Sequence, residues 1–154
     1  MDSAGSSWAG ETRREGHVLR LLLRTANLFL RIADRFLARF GLSSVQYDAL
    51  RLLQDEPGLS QVALSHRLGV NRASVTFLVD RLERAGLAER SPVPGDRRAR
   101  ALRLTPQGRS RLEKVEAPYR KLVRRWMAAS RRHELATLVR VCQQLHESLQ
   151  EEHG

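Results

Sequence analysis

The tightest constraint on this chain lies between Asn71 and Gly108, NRASVTFLVDRLERAGLAERSPVPGDRRARALRLTPQG, where a helical apolar period gives way to a strand period within a few residues. Val75, Leu78, Val79 and Leu82 fall on one helical face, Asn71 is a good N-cap, and Gly86 closes the helix. After Gly86, Leu87 to Arg90 and Arg100 to Leu104 read as two short strands around SPVPGDRRA. Pro92, Pro94 and Gly95 mark a long hairpin tip there, and Leu102 and Leu104 alternate inward. Just upstream, Ser60 caps a short helix from Gln61 to Leu68, whose apolar contacts come from Val62, Ala63, Leu64 and Leu68 before Gly69 breaks it. Two helices joined by a tight glycine-containing turn form a helix-turn-helix, and the hairpin that follows is its wing.

The flanks are helical. From His17 to Phe40 an apolar stripe runs through Leu21, Leu22, Thr25, Leu28, Phe29, Ile32, Phe36 and Leu37 and stops at Gly41. Leu19, Leu23, Leu30 and Phe40 add further apolar faces, more than one small domain needs to cover, so a partner helix from another subunit is expected. Ser43 with Gln46 forms a capping box for a helix through Tyr47, Leu50, Leu52 and Leu53, which ends before the turn Asp55-Glu56-Pro57-Gly58. Thr105-Pro106 starts another helix through Leu112, Val115, Leu122 and Trp126, which Pro118 should kink or divide. Ser130 is the expected cap of a last helix carrying Leu135, Leu138, Val141, Cys142, Leu145 and Leu149. The fold expected is α/β but mainly α. Residues 1–14, small and unpatterned, are read as a flexible tail, and residues 15–154 as a single domain with a winged helix-turn-helix over 43–105.

The formal net charge of +10 favours a polyanionic partner. Because 25 of the 27 basic residues are arginine, a bias genome composition can produce, the placement of the charge matters more than its total. The first fifteen residues hold no apolar core, and the run Leu19 to Leu23 is interrupted by Arg20 and closed by Arg24, so a cytoplasmic protein without membrane attachment is expected. A single cysteine, Cys142, allows no internal disulfide. His17, His66, His133, His146 and His153 show no metal spacing, and neither a Ser-His-acid grouping nor a glycine-rich phosphate loop occurs. No cofactor, metal or catalysis is expected.

Opposite its core face, the helix after Asn71 presents Ala73, Phe77, Asp80, Arg81 and Arg84, with Ser74 and Thr76 at the flanks. Small and hydroxyl side chains permit close approach to bases, Arg72 and Arg81 can reach phosphate or guanine, and the helix N-terminus itself favours phosphate. The alternative is that Ser and Thr only tolerate the first turn while Arg81 pairs with a neighbouring acid. From Arg84 to Arg111 eight arginines, Arg90 among them, face two acids, Glu89 and Asp96, so the surplus charge sits beside this helix. A hairpin tip is slim enough for a minor groove, whose negative channel attracts guanidinium groups such as Arg97 and Arg98. Asp96 would repel phosphate unless it orients an arginine, so an Asp96–Arg98 pair is expected, against the alternative of a solvated turn. The DNA-contacting candidates are thus Arg72, Ala73, Ser74, Thr76, Phe77, Arg81, Arg90, Asp96, Arg97 and Arg98.

On these residues the chain resembles the MarR family of bacterial winged-helix transcriptional regulators, from about His17 to the last helix. LSQVALSHRLGVNRASVTFLVDRLERAGLAER looks like the family's helix-turn-helix, and GDRRARALRLTPQG like its Asp-Arg-Arg wing ending in Leu-Thr-x-x-Gly. The resemblance implies a homodimer held by helices in 15–42 and 106–152, with one recognition helix per half-site of a pseudo-palindromic double-stranded DNA operator. It also implies wing roles for Asp96 and Arg98, hydroxyl roles for Ser74 and Thr76, and repression by occupancy. Many members are released by small phenolic or other aromatic acids, for which His17, Arg20, Arg24 and Tyr47 are the candidates here; a solvated helix face plus a core tyrosine explains them equally well. Phe77 departs from the polar, basic or small residue of many relatives, so it either meets a thymine methyl or is buried. Peroxide-sensing relatives carry a first-helix cysteine that this chain lacks. Redox regulation through Cys142 and a winged helix serving as a protein-interaction module stand as the alternatives.

Overall fold

The structure, a computed structural model, describes residues 4–93 and 96–151, with side chains over 13–92, 100–149 and 151. Helix α1 spans Ala4–Leu37, so the segment read as a tail is helical from Ala4 onward. That stretch contains no proline, and a helix already nucleated downstream propagates at one hydrogen bond per added residue. A 3-10 turn, Ala38–Phe40, ends it, with Gly41 in the left-handed region at φ 72°. Its last turns are anchored by Ala33 and Leu37, both fully buried.

Helix α2 (Ser44–Asp55) starts at the expected capping box: the Gln46 N–H donates to Ser43 Oγ, and the Ser43 N–H donates to Gln46 Oε1. The Ser44 N–H also donates to Asp34 Oδ1 at 2.6 Å, tying α2 to α1. Helix α3 (Gln61–Leu68) is capped by Ser60, which accepts from the Ala63 N–H, and helix α4 (Arg72–Arg84) by Asn71, which accepts from the Ser74 N–H. Gly86, with φ 67°, lets the Leu87 N–H reach back to the Leu82 carbonyl at 2.9 Å, which turns the chain out of α4.

Strands β1 (Ala88–Val93) and β2 (Asp96–Leu104) pair antiparallel, Ala88 opposite Leu104 and Arg90 opposite Leu102, with a register shift between Pro92 and Val93. Both are longer than their apolar alternation indicates. A bridge between Leu59 and Leu102 extends the hairpin on its other edge, the Leu102 N–H donating to the Leu59 carbonyl at 2.8 Å. Leu59 gives no strand signal of its own, since it lies between the turn Pro57-Gly58 and the cap Ser60.

Helix α5 (Pro106–Trp126) opens at Thr105, whose Oγ1 accepts from the Gly108 N–H at 3.0 Å and donates to the Gly86 carbonyl at 2.6 Å. Pro118 lies inside α5 without dividing it. The carbonyl that loses its partner there belongs to the exposed Lys114 and can turn to water. Helix α6 (Arg132–Glu151) is not capped by Ser130: the Arg131 N–H donates to Glu134 Oε2 at 2.6 Å, and the Arg131 carbonyl accepts from Glu134 and Leu135. Glu134, at the third helical position, makes Arg131 the better start.

The chain divides into two units, residues 1–116 and 117–154. The first contains the core: Leu37, Leu42, Leu50, Leu53, Leu64, Val75, Val79, Leu82, Leu87, Leu102, Leu112 and Val115 are nearly or fully buried. Each such side chain stabilises the fold by roughly 1.5–3 kcal/mol relative to exposure. In the second unit, none of the described residues is buried, and α6 exposes Leu138, Val139, Leu145 and Leu149. Among the described residues, no helix is long and apolar enough to cross a membrane, and no group of three His, Cys, Asp or Glu is placed to hold a metal ion.

Candidate nucleic-acid interface

The core sets the aim of α4. With Val75, Leu78, Val79 and Leu82 turned inward, Arg72, Ala73, Ser74, Thr76, Phe77 and Arg81 are all exposed. The Thr76 hydroxyl donates to the Arg72 carbonyl at 3.0 Å, which directs its proton along the helix and leaves its oxygen free to accept. Phe77 is 60% exposed, so the burial considered from its sequence does not occur, and the Arg81 guanidinium lies 5.7 Å from its ring centroid. One turn on, Arg84 Nε donates to the Asp80 carbonyl oxygen at 3.2 Å.

Arg90, read in the sequence as a DNA contact, is engaged in this structure by two acids of α4. Its Nη2 donates to Asp80 Oδ1 at 2.8 Å, its Nη1 to Glu83 Oε2, and its backbone N–H to Glu83 Oε1 at 3.0 Å. Register decides this: Arg90 sits opposite the buried Leu102, and the hairpin lays that face against α4. Arg90 thereby pins the wing to α4 and neutralises two carboxylates that would otherwise repel an anion there. Asp80 and Glu83 are the residues sequence reading missed in this role. Their only signal is a pair of acids on α4 followed by an arginine at the start of a strand.

At the wing, Asp96, Arg97 and Arg98 belong to β2 by backbone, while their side chains lie outside the described residues, and with them the expected Asp96–Arg98 pair. Arg100 and Arg103 on the same strand are exposed, with Arg103 opposite Glu89 in the register.

Among the described residues, the ligand candidates His17, Arg20 and Tyr47 fall on two depressions. His17 and Arg20 line an open depression on α1 with Arg13, Arg14 and Val18, and Arg24 is exposed one turn further on. Tyr47 lines another, with Asp48, Arg51, Leu52, Arg67 and Leu68. Arg51 there is engaged with Asp55 at 3.1 Å and with Glu116. Burial pulls its pKa down, and the Glu116 hydrogen bond with the charges of Asp55 and Glu116 outweighs that, leaving it raised. Cys142 is exposed on α6.

The helix-turn-helix and most of the wing coincide with residues 40–99, which match the MarR family model. The chain is 31% identical over 101 residues to the HTH-type transcriptional regulator PecS of Dickeya dadantii, covering 64% of this chain and 61% of PecS. It spans 46% and 61% of the length of two of the curated relatives it matches. Among solved structures, a mutant of MarR from Escherichia coli complexed with operator DNA superposes with TM-score 0.75 at 24% identity, covering 82% of this chain and 91% of that one. The PcaV transcriptional regulator of Streptomyces coelicolor, in complex with its natural ligand, gives TM-score 0.71 at 26% identity over 87% and 92% of the two chains. Two capped helices, a glycine exit, an arginine-bearing wing and the family match all fall on one stretch of sequence, and over residues 40–99 the chain is similar to the MarR family.

Proposed function

We propose that this chain is a sequence-specific double-stranded DNA-binding transcriptional regulator of the cytoplasm, not an enzyme. In this reading it acts as a homodimer on a pseudo-palindromic operator and represses by occupancy. The observation that carries the reading is the exposed face of α4, where small, hydroxyl, aromatic and guanidinium groups stand clear of a fully buried opposite face. The likeness of fold to a MarR protein complexed with operator DNA supports it. Dimerisation is supported by the apolar side chains left exposed on α1, Leu19, Leu21, Leu23, Leu28 and Leu30, and on α6, Leu138, Val139, Leu145 and Leu149. That PcaV is in complex with its natural ligand supports a ligand-responsive reading; the ligand class proposed for this chain is a small aromatic acid, with His17, Arg20, Arg24 and Tyr47 as the residues to probe. Such a ligand acts only if it binds the free and DNA-bound dimers unequally.

The test is selection of bound duplexes from genomic DNA, followed by titration of the preferred site and a scrambled one at several salt concentrations. The expected result is a preference of about a thousandfold or more and a steep loss of affinity with salt. If no duplex is preferred over any other, the reading fails; binding only to an acidic protein would favour an interaction module instead.

A further inference from the structure

We propose that Phe77 and Arg81 form one reading unit that selects a 5′-TpG step in the major groove, the thymine methyl meeting the Phe77 ring and the guanine meeting the Arg81 guanidinium. The proposal rests on the reading of α4 as a DNA-recognition helix and names what part of it reads.

A phenyl group that is 60% exposed on an otherwise polar helix face leaves apolar surface in water. Phe77 and Arg81 are four residues apart, so they sit one above the other on α4, and the guanidinium carbon lies 5.7 Å from the ring centroid, within cation–π range. The acids nearby do not hold Arg81: Asp80 and Glu83 are engaged by Arg90, and among the described residues no carboxylate pairs with Arg81. Arg84, by contrast, is tied back to the Asp80 carbonyl. Arg81 is therefore the arginine of this half of α4 that an aromatic face orders and no acid occupies.

A guanidinium beside a ring and not clamped by a carboxylate can turn its in-plane N–H groups to a base edge, and O6 and N7 of guanine accept two of them side by side. An arginine clamped by a carboxylate would first have to leave it. The ring beside it calls for an apolar base edge, and the thymine methyl is the apolar group that the major groove offers. Successive bases rise about 3.4 Å along a strand. A ring and a guanidinium that lie side by side can therefore face neighbouring base pairs rather than one, and right-handed stacking sets the methyl of a 5′ thymine beside the N7 edge of the guanine that follows it.

The experiment uses the full chain and the duplex that selection prefers, with each thymine in turn replaced by deoxyuridine and each guanine by 7-deazaguanine. For the native chain, loss of one methyl at the read thymine should weaken binding about threefold, and loss of N7 at the adjoining guanine about fivefold or more. Phe77→Ala should abolish the first effect and Arg81→Ala the second. Arg81→Lys, which keeps the charge, should retain the salt dependence while losing the guanine preference. Both side chains are exposed, so the variants should melt with the native protein. A preferred duplex that lacks a TpG step, or one in which neither base analogue weakens binding, overturns this proposal and leaves the regulator reading standing. If no duplex is preferred at all, the regulator reading and this one fall together.

Discussion

Arg90, at the start of the wing, donates to the carboxylate of Asp80, in the middle of α4, across 2.8 Å, and reaches Glu83 one turn further along the same helix. A strand and a helix with separate backbone hydrogen-bond networks are thereby held at one angle. Arg90→Met should leave Asp80 and Glu83 as unneutralised neighbours. Their side chains are 44% and 30% exposed, so solvent screens part of the effect, and the expected loss is about 1–2 kcal/mol. Chemical denaturation reads it, and adding Asp80→Asn and Glu83→Gln should restore part. Unaltered stability of the single variant would mean that the contact holds nothing together.

Gly108 passes so close to the hairpin that a Cβ there would lie 1.9 Å from the Leu87 carbonyl oxygen. Backbone cannot yield as a flexible side chain does, so Gly108→Ala should destabilise by about 3 kcal/mol or more, at the upper end of overpacking penalties. Ser110→Ala, exposed on the same helix, is the control and should stay within about 0.5 kcal/mol of native. Equal melting of the two variants would refute the close approach.

Thr105 caps α5 and, through its hydroxyl proton, holds the Gly86 carbonyl where the chain leaves α4. Thr105→Val keeps the shape and removes both bonds, which should lower stability by about 1–2 kcal/mol, whereas Thr105→Ser should recover most of it. Denaturant titrations giving Val and Ser variants the same midpoint would show that the hydroxyl contributes little.

Leu21 on α1 and Leu145 on α6 are 56% and 44% exposed in the single chain. If a second copy covers them, sedimentation should give twice the 17.5 kDa of one chain, and Leu21→Glu or Leu145→Glu should shift the protein toward monomer, since a buried unpaired carboxylate is strongly disfavoured. A native chain that sediments at one mass throughout would remove the homodimer from the proposal.

Most of the helix boundaries were legible because their signals are local. Ser43 with Gln46, Ser60 and Asn71 each cap through a partner three residues away, and Gly41, Gly69 and Gly86 stop the chain through their own φ. Where local signals competed, spacing alone did not rank them: Ser130 resembled a cap, yet Glu134 gave the start to Arg131, and Pro118 resembled a break in a helix that runs past it. The α4 face was legible from spacing alone, but the state of its side chains was not. Whether Phe77 was buried or exposed, and whether Arg81 met an acid or a ring, depended on what the wing brought to the same side.

By itself, then, the sequence determined the order of the elements, the caps of α2, α3, α4 and α5 and the face that α4 turns inward, because each rests on residues within about a turn of one another. The tertiary structure alone decided that Arg90 serves Asp80 and Glu83, that Leu59 joins the hairpin at Leu102, and that Gly108 must remain without a side chain beside Leu87. Those contacts join separate elements, and their geometry follows from how helix and hairpin pack rather than from any periodicity along the chain.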